Sequence, residues 1–200
     1  MRFGYIPEEI NAGLYDIGMS ELSITEDRLK EMYFSDPYLN SKVVFVMRKK
    51  FSKQLTSVSA ILESSNVQVC VLRGSSYEGV ARHLFRPEQI VLVDDLEEFA
   101  KYYPHSVLIL AEPHAIAWSL NYPNFTVVIP DPFISEESFA YAFPAHSERF
   151  IAFINLWLKL KKNEGFTQEQ YNLWVLGKTK NRAHEEPRWS ILRNVFHWVQ

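Results

Sequence analysis

The sequence VQVCVLRGSSYEGVARHLFRPEQIVLV, residues 67–93, determines the fold class that we predict for this chain. It opens with the apolar run Val67–Leu72 and passes through a Gly-Ser turn. A helical pattern over Tyr77–Phe85 follows, and then a second apolar run, Ile90–Val93. A strand, a helix and a strand in this order form a βαβ unit, which places its two strands parallel in a sheet. We therefore expect an α/β fold.

The same alternation continues on both sides of this stretch. Further strands are predicted at Val43–Arg48, Val107–Leu110, Thr126–Ile129 and Phe139–Phe143, and further helices at Asp95–Tyr102, Glu112–Leu120 and Ser147–Lys162. Strands that alternate with helices of this length are typical of mainly parallel sheets.

The two ends of the chain carry weaker patterns. Tyr15–Met19 is expected to form a short strand, and Thr25 to cap a helix that runs from Glu26 to Met32. Thr167 is expected to cap another helix, which ends near Trp174. After it we expect a polar linker and an amphipathic helix over Trp189–Val199.

Composition excludes some classes of function. The chain has 200 residues and a formal net charge of -3, so it lacks the basic excess of a general nucleic-acid binder. Its single cysteine, Cys70, lies in an apolar run and is interpreted as a core thiol. There is no run of 18 apolar residues and no signal peptide at the start. The protein is therefore either cytoplasmic or a piece of a longer, truncated frame.

One candidate anion site lies in the stretch SELSITEDR, residues 20–28. The hydroxyls of Ser20 and Ser23 and the free N–H groups of a loop-to-helix junction can bind an anion. Arg28 adds a planar set of donors that matches a carboxylate. An N-capped helix with a surface arginine, paired to Asp27 or Glu31, is the other interpretation, and composition alone favours it.

The second candidate anion site is the turn LRGSSYE, residues 72–78. Ser75, Ser76 and Tyr77 follow a strand and open a helix, at the edge where open α/β sheets usually bind ligands. Ordinary serine capping explains the same residues. The turn lacks the glycine spacing and the Lys-Ser/Thr pair of a phosphate loop.

Signatures of enzymes and metal sites are weak. The six histidines have no metal-ligand spacing, and no nucleophile motif is present. Glu112 and His114 form a possible acid/base pair, although an ordinary place in a loop or first helical turn explains them as well. We therefore expect no catalytic residue, no metal and no cofactor.

Several motifs together resemble the family 3 bacterial extracellular solute-binding proteins. They are GLYDI at 13–17, SITEDR at 23–28, FSDPY at 34–38, GSS at 74–76, and NLWL at 155–158 followed by Gly165 and YNLW at 171–174. The likeness covers about residues 10–178. It implies a two-lobed type II periplasmic-binding-protein fold with ligand bound between the lobes.

By this resemblance, lobe 1 comprises residues 1–48 and 138–178, and lobe 2 comprises residues 49–137. Residues 179–200 would form the C-terminal linker and amphipathic helix. The family normally begins with a strand and a helix that precede anything found here. We therefore expect an incomplete first lobe.

The resemblance also assigns site residues. Arg28 would hold the ligand carboxylate with Ser23 and Ser76, and Ser20, Ser75 and Tyr77 lie in the same two loops. Amino-acid binders place an aspartate after the third strand of lobe 2, where this chain has alanine. Either Glu112 replaces that aspartate or the ligand has no ammonium group.

The implied function is capture of a small anionic or zwitterionic ligand, an amino acid or a dicarboxylate, outside the cytoplasm. The implied partner is a membrane transporter of the ABC type, separate or fused. Two alternatives remain. One is a cyclohexadienyl or arogenate dehydratase-like enzyme with Glu112 or His114 as the general acid, and the other is a sensory or regulatory domain of a larger membrane protein.

Overall fold

The computed structural model describes residues 5–178, which form eight helices and eight strands. The helices are α1 (Ile6–Asn11), α2 (Glu26–Glu31), α3 (Val58–Glu63), α4 (Tyr77–Leu84), α5 (Leu96–Tyr102), α6 (Glu112–Asn121), α7 (Glu148–Asn163) and α8 (Phe166–Gln170). The strands are β1 (Gly18–Ser23), β2 (Tyr33–Phe34), β3 (Leu39–Arg48), β4 (Val69–Leu72), β5 (Ile90–Val93), β6 (Val107–Ala111), β7 (Phe125–Val128) and β8 (Glu136–Phe143).

The long strand β3 joins the two sides of the molecule. Its first part, from Leu39 to Lys42, pairs antiparallel with β8, which in turn pairs with β1 and β2. Its second part, from Val43 onward, pairs with β6 and β7. The strand order along the sheet is β1-β8-β3-β6-β4-β5. One continuous strand therefore runs from the side built on β1 and β8 into the side built on β4, β5 and β6.

The α/β class is confirmed, but the expected mainly parallel sheet is wrong, because the sheet is mixed. Parallel pairing among the described strands is confined to β4 with its neighbours β5 and β6. Strands β6 and β7 run in the same direction, as their connection through α6 predicts. Between them lies β3, which comes from the other side and runs in the opposite direction.

Element boundaries differ from the prediction mainly at the two ends. The first strand covers Gly18–Ser23 rather than Tyr15–Met19, because pairing with β8 buries Leu22 completely. Thr25 caps α2 as expected, accepting a bond from the Arg28 N–H at 3.3 Å. Thr167 lies inside α8, which starts after Gly165 and continues as a π-helical turn at Tyr171–Val175. The predicted linker and terminal amphipathic helix lie outside the described residues.

The largest hydrophobic core lies around the central strands. Residues Val43 to Met47 of β3 are fully buried, as are Val69–Val71 of β4 and Val107–Ile109 of β6. Burial on both faces explains why these strands read as continuous apolar runs. This core supports the turn after β4, so the Gly-Ser turn projects from a rigid part of the molecule.

Two smaller clusters complete the packing. The first, beneath α1, includes Ile10, Leu22 and Ala142, and the second places Ile154 and Leu158 of α7 against Phe143. Within residues 5–178, no helix has the length and apolar character needed to cross a membrane.

Candidate ligand-binding cleft

A cavity of about 320 Å³ opens between β1 on one side and the turn from β4 to α4 on the other. This volume is at the lower end of the range usual for small-molecule sites. The lining residues come from both sides of the molecule: Met19, Ser20, Glu21, Ser23, Tyr38, Leu72, Ser75, Ser76, Tyr77, Leu110, Ala111, His114 and Phe139.

The two predicted serine sites meet in this cavity. Ser23 ends β1 and is only 3% exposed, while Ser76 stands at the start of α4. Their Oγ atoms are 3.1 Å apart and share a hydrogen bond. Segments that are 53 residues apart in sequence thus present their hydroxyls at one point.

Glu137 of β8 joins these hydroxyls, although the sequence analysis did not select it. The Ser23 hydroxyl donates to Oε2 at 2.8 Å, and Ser76 Oγ lies 3.2 Å from Oε1. The single proton of Ser76 therefore goes either to Ser23 Oγ or to the Glu137 carboxylate. The predicted strand began at Phe139 and therefore left Glu137 outside. Side chains two residues apart share a face of a strand, so Glu137 lies on the same face of β8 as Phe139, which lines the cavity. No pattern in the sequence indicated that this face meets the serines.

Arg28 reaches the cavity through Ser23 and is not itself part of the lining. Its Nη1 donates to the Ser23 carbonyl oxygen at 2.9 Å. Asp27 pairs with Lys30 at 2.8 Å, so the interpretation of Arg28 as a surface partner of Asp27 is wrong. Burial lowers the pKa of the guanidinium, and attraction to the Glu137 carboxylate opposes that shift. Because an arginine pKa lies so far above neutrality, Arg28 keeps its positive charge.

The remaining predicted residues of the second turn also lie at the cavity. The Tyr77 phenol has its pKa raised, first by burial and then by the neighbouring Glu137 carboxylate, so it stays protonated and can donate. The Ser75 hydroxyl donates to the Leu72 carbonyl at 2.6 Å and closes the turn. Ser20 lines the cavity from β1.

Glu112 is the predicted site residue that the structure does not bring to the others. Its backbone N–H donates to the Ser41 hydroxyl at 3.2 Å, and the residue lines a separate groove between α6, α7 and the π-helical turn. His114, one helical turn from the end of β6, lines the cavity instead, and its Nδ1 lies 3.3 Å from Oε2 of Glu21.

Glu21 was also missed by sequence reasoning. It has a φ of 49°, a left-handed conformation that is uncommon for a residue other than glycine. It interrupts the regular pairing of β1 with β8. No local sequence pattern predicts the left-handed conformation at Glu21 or the break in pairing. In the part of the chain from residue 5 to residue 178, no cluster of three or more His, Cys, Asp or Glu side chains is placed to hold a metal ion.

The fold and the cleft together define a class of protein. An α/β molecule with a small cavity between two sides, which are joined by long strands, has the type II periplasmic-binding-protein fold. The chain belongs to the bacterial extracellular solute-binding proteins, family 3, whose model matches residues 1–177.

Solved structures of similar proteins agree with this fold. The AbpA substrate-binding protein of an amino-acid ABC transporter from Streptococcus pneumoniae, bound to L-arginine, has a TM-score of 0.78 at 20% identity, over 88% of this chain and 76% of that one. A mutant of ArgBP from T. maritima has a TM-score of 0.74 at 21% identity, over 89% and 76%.

An ancestral amino-acid-binding protein, described as a precursor of cyclohexadienyl dehydratase, has a TM-score of 0.76 at 23% identity, over 88% of this chain and 75% of that one. At these identities the likeness establishes the fold. No curated protein matches the chain significantly.

Proposed function

We propose that this chain captures a small amino acid, or a related carboxylate-bearing solute, in the cavity between β1 and α4. The observation that carries the proposal is the meeting of the Ser23 and Ser76 hydroxyls at 3.1 Å, on one cavity, next to the charge of Arg28. Hydroxyl donors beside a guanidinium suit a carboxylate, because charge-assisted hydrogen bonds are the strong ones.

The cavity also offers a partner for a positively charged group. Glu21 also lines the cavity and lies two residues before Ser23 on β1. Two residues of a strand span roughly 7 Å. In the proposed pose, the ligand carboxylate faces the serines and its ammonium or cationic side chain faces Glu21. Several similar structures hold such ligands, including L-arginine and lysine. Glu21 thereby takes the role that the sequence suggested for Glu112.

Capture is proposed to depend on movement of two lobes, residues 1–48 with 138–178 and residues 49–137. β3 and the start of β8 connect them, and the hinge is expected where β3 passes from β8 to β6, between Lys42 and Val43. Val43–Arg48, which this division assigns to lobe 1, pair with β6 and β7 and would therefore move with lobe 2. A ligand favours the closed form only if it contacts both lobes. Ser23 and Ser76 stand on opposite sides of the cavity and provide such contacts.

The bound solute is proposed to pass to a membrane transporter of the ABC type, separate from this chain or fused to it. Membership of an extracellular solute-binding family supports a place outside the cytoplasm. A sensory domain of a larger membrane protein would use the same cavity, and only the partner would differ.

A dehydratase-like enzyme is the second candidate, and one observation favours it. The imidazole of His114 faces the cavity and lies 3.3 Å from the Glu21 carboxylate, an arrangement that suits a general acid. Incubation with prephenate or arogenate distinguishes the two candidates. Aromatic product that disappears in His114→Ala supports the enzyme, and absence of product supports the binding protein.

The binding proposal is tested by calorimetric titration with L-arginine, L-lysine, L-glutamine and L-glutamate. Arg28→Ala should weaken the binding of the amino acid that the unmodified chain prefers by about 2–5 kcal/mol, because it removes a partly buried charge beside the carboxylate. Arg28→Lys should give an intermediate loss, since it keeps the charge without the planar donors.

Arg149→Ala is the matched control, because Arg149 is an exposed arginine of α7. It should leave the affinity unchanged. Unchanged affinity in Arg28→Ala, or an equal loss in the control, would remove Arg28 from the site. If none of the four amino acids binds the unmodified chain, the proposal is wrong for this ligand class.

A further inference from the structure

We propose that Glu137 is a built-in competitor of the ligand, whose carboxylate occupies the position where Ser23, Ser76 and Arg28 receive the ligand carboxylate. A ligand anion then binds only when the Glu137 side chain moves away. This inference rests on the proposed function and specifies how its anion site is regulated.

The hydrogen bonds show that the serine donors are already used. A serine hydroxyl has one proton to donate. The Ser23 proton goes to Oε2 of Glu137 at 2.8 Å, and Ser76 Oγ lies 3.2 Å from Oε1 and 3.4 Å from Oε2. While Glu137 holds this position, the Ser23 proton is not available to a second acceptor.

The charges support the same conclusion. Burial lowers the pKa of Arg28, and the nearby Glu137 carboxylate opposes that shift; burial raises the pKa of Tyr77, and the same carboxylate raises it further. A ligand carboxylate at the same hydroxyls would stand directly beside this negative charge. Like charges held at such distances repel each other strongly, so the two carboxylates exclude each other.

The backbone of β8 lets the Glu137 side chain move alone. Glu137 lies opposite Ser41 in the pairing with β3, which fixes the strand itself. The side chain is only partly buried and has three rotatable bonds. A change of rotamer therefore frees the two serines without breaking the sheet.

Glu136 provides the matched control. It precedes Glu137 on the same strand, lies opposite Lys42, and is exposed. Successive strand residues point to opposite faces, so Glu136 carries the same charge on the face away from Glu137. Substitution of Glu136 changes the net charge equally and leaves the serine cluster intact.

The first experiment tests occupation of the anion site without any amino acid. In Glu137→Ala, free acetate should take the place of the lost carboxylate, so the Tm of this variant should rise in sodium acetate relative to sodium chloride at equal ionic strength. The unmodified chain and Glu136→Ala should show no such rise. An equal response of all three proteins to acetate would overturn the proposal.

The second experiment measures competition. Glu137→Gln keeps the size of the side chain and removes its charge, so it should bind the preferred amino acid about tenfold more tightly than the unmodified chain. Glu136→Gln should bind as the unmodified chain does. Equal or weaker binding by Glu137→Gln would contradict competition and would instead make Glu137 neutral or helpful to the ligand.

The two experiments separate this inference from the proposed function. If acetate stabilises Glu137→Ala but no amino acid binds any variant, the amino-acid function fails and the anion site filled by Glu137 stands. If the unmodified chain binds an amino acid and Glu137→Gln binds no tighter, the function stands and the built-in competitor fails.

Discussion

Ser23, Ser76 and Glu137 depend on one another, because Ser23 is buried, the other two are partly buried, and each finds hydrogen-bond partners in the cluster. Ser23 is 3% exposed, and its hydroxyl contacts both other side chains. A buried hydroxyl without a partner is costly, so the cluster stabilises the empty cleft. This mutual dependence is the residue-scale reason why a ligand must replace Glu137 rather than join it.

Ser23 and Ser76 could be predicted from the sequence because both stand at junctions with helices, where local chemistry suggests anion binding. Glu137 and Glu21 could not, since their positions depend on the pairing of β8 with β3 and β1. Glu112 was predicted as a site residue because it follows a predicted strand. In the structure it lines a different groove, beside α6.

Cys70 gives a residue-scale prediction that is independent of the cleft. It is fully buried in β4, which confirms the core-thiol interpretation, and burial raises its pKa to about 12. The reactive thiolate is therefore almost absent at neutral pH. We expect an aromatic disulfide reagent to label Cys70 only slowly in the folded chain and fully within the mixing time in urea. Rapid labelling of the folded chain would contradict the burial of β4.

At the scale of elements, the packing of α1 on β1 is tight at Gly18. A Cβ atom added there would lie 2.5 Å from Cδ1 of Ile10 and 3.3 Å from Cδ1 of Leu22. Gly18→Ala should therefore lower the free energy of unfolding by about 1–3 kcal/mol, as overpacking usually does. Urea denaturation measures the change.

Gly79 serves as a comparison for Gly18, because it has free space around its Cα atom. It is an exposed residue of α4, and a Cβ atom added there meets nothing within 4 Å. Gly79→Ala should raise the free energy of unfolding by up to about 1 kcal/mol, because alanine favours the helix more than glycine does. If both alanine variants change stability in the same direction, the packing described for α1 and β1 is wrong.

The strands and helices between residues 67 and 121 were predicted well because their signals are local. Apolar runs and caps in that region coincide with β4, β5, β6 and the helices between them. By contrast, the two-residue β2 and the first part of β3 carry no such signal. They are strands because β8, about 100 residues later, supplies their partners.

At the scale of the whole molecule, the mixed sheet explains how the cavity arises. Because β3 runs from one side into the other, the end of β1 and the turn after β4 are held facing each other. The mainly parallel sheet that local alternation predicted gives no reason for that approach. The resemblance to a solute-binding family supplied this arrangement, and local patterns alone did not.

The two sides are joined by apolar as well as polar contacts, since Phe139 of β8 lies in the same hydrophobic core as β4 and β6. Besides the serine cluster, Glu21 and His114 approach across the cavity at 3.3 Å, and both side chains are more than a third exposed. A contact between two such solvent-exposed side chains contributes at most about 1 kcal/mol. Loss of the contact between Glu21 and His114 would therefore cost little if the proposed cleft opens.

The most direct test of capture between the two sides is a two-dimensional ¹H–¹⁵N NMR titration of the unmodified chain with the four amino acids. The backbone amides of Ser23 and Ser76 should shift together, with one shared Kd, because both line the same cavity and receive the same carboxylate. Shifts confined to one of the two serines, separate Kd values, or no shift with any of the four amino acids would contradict the account.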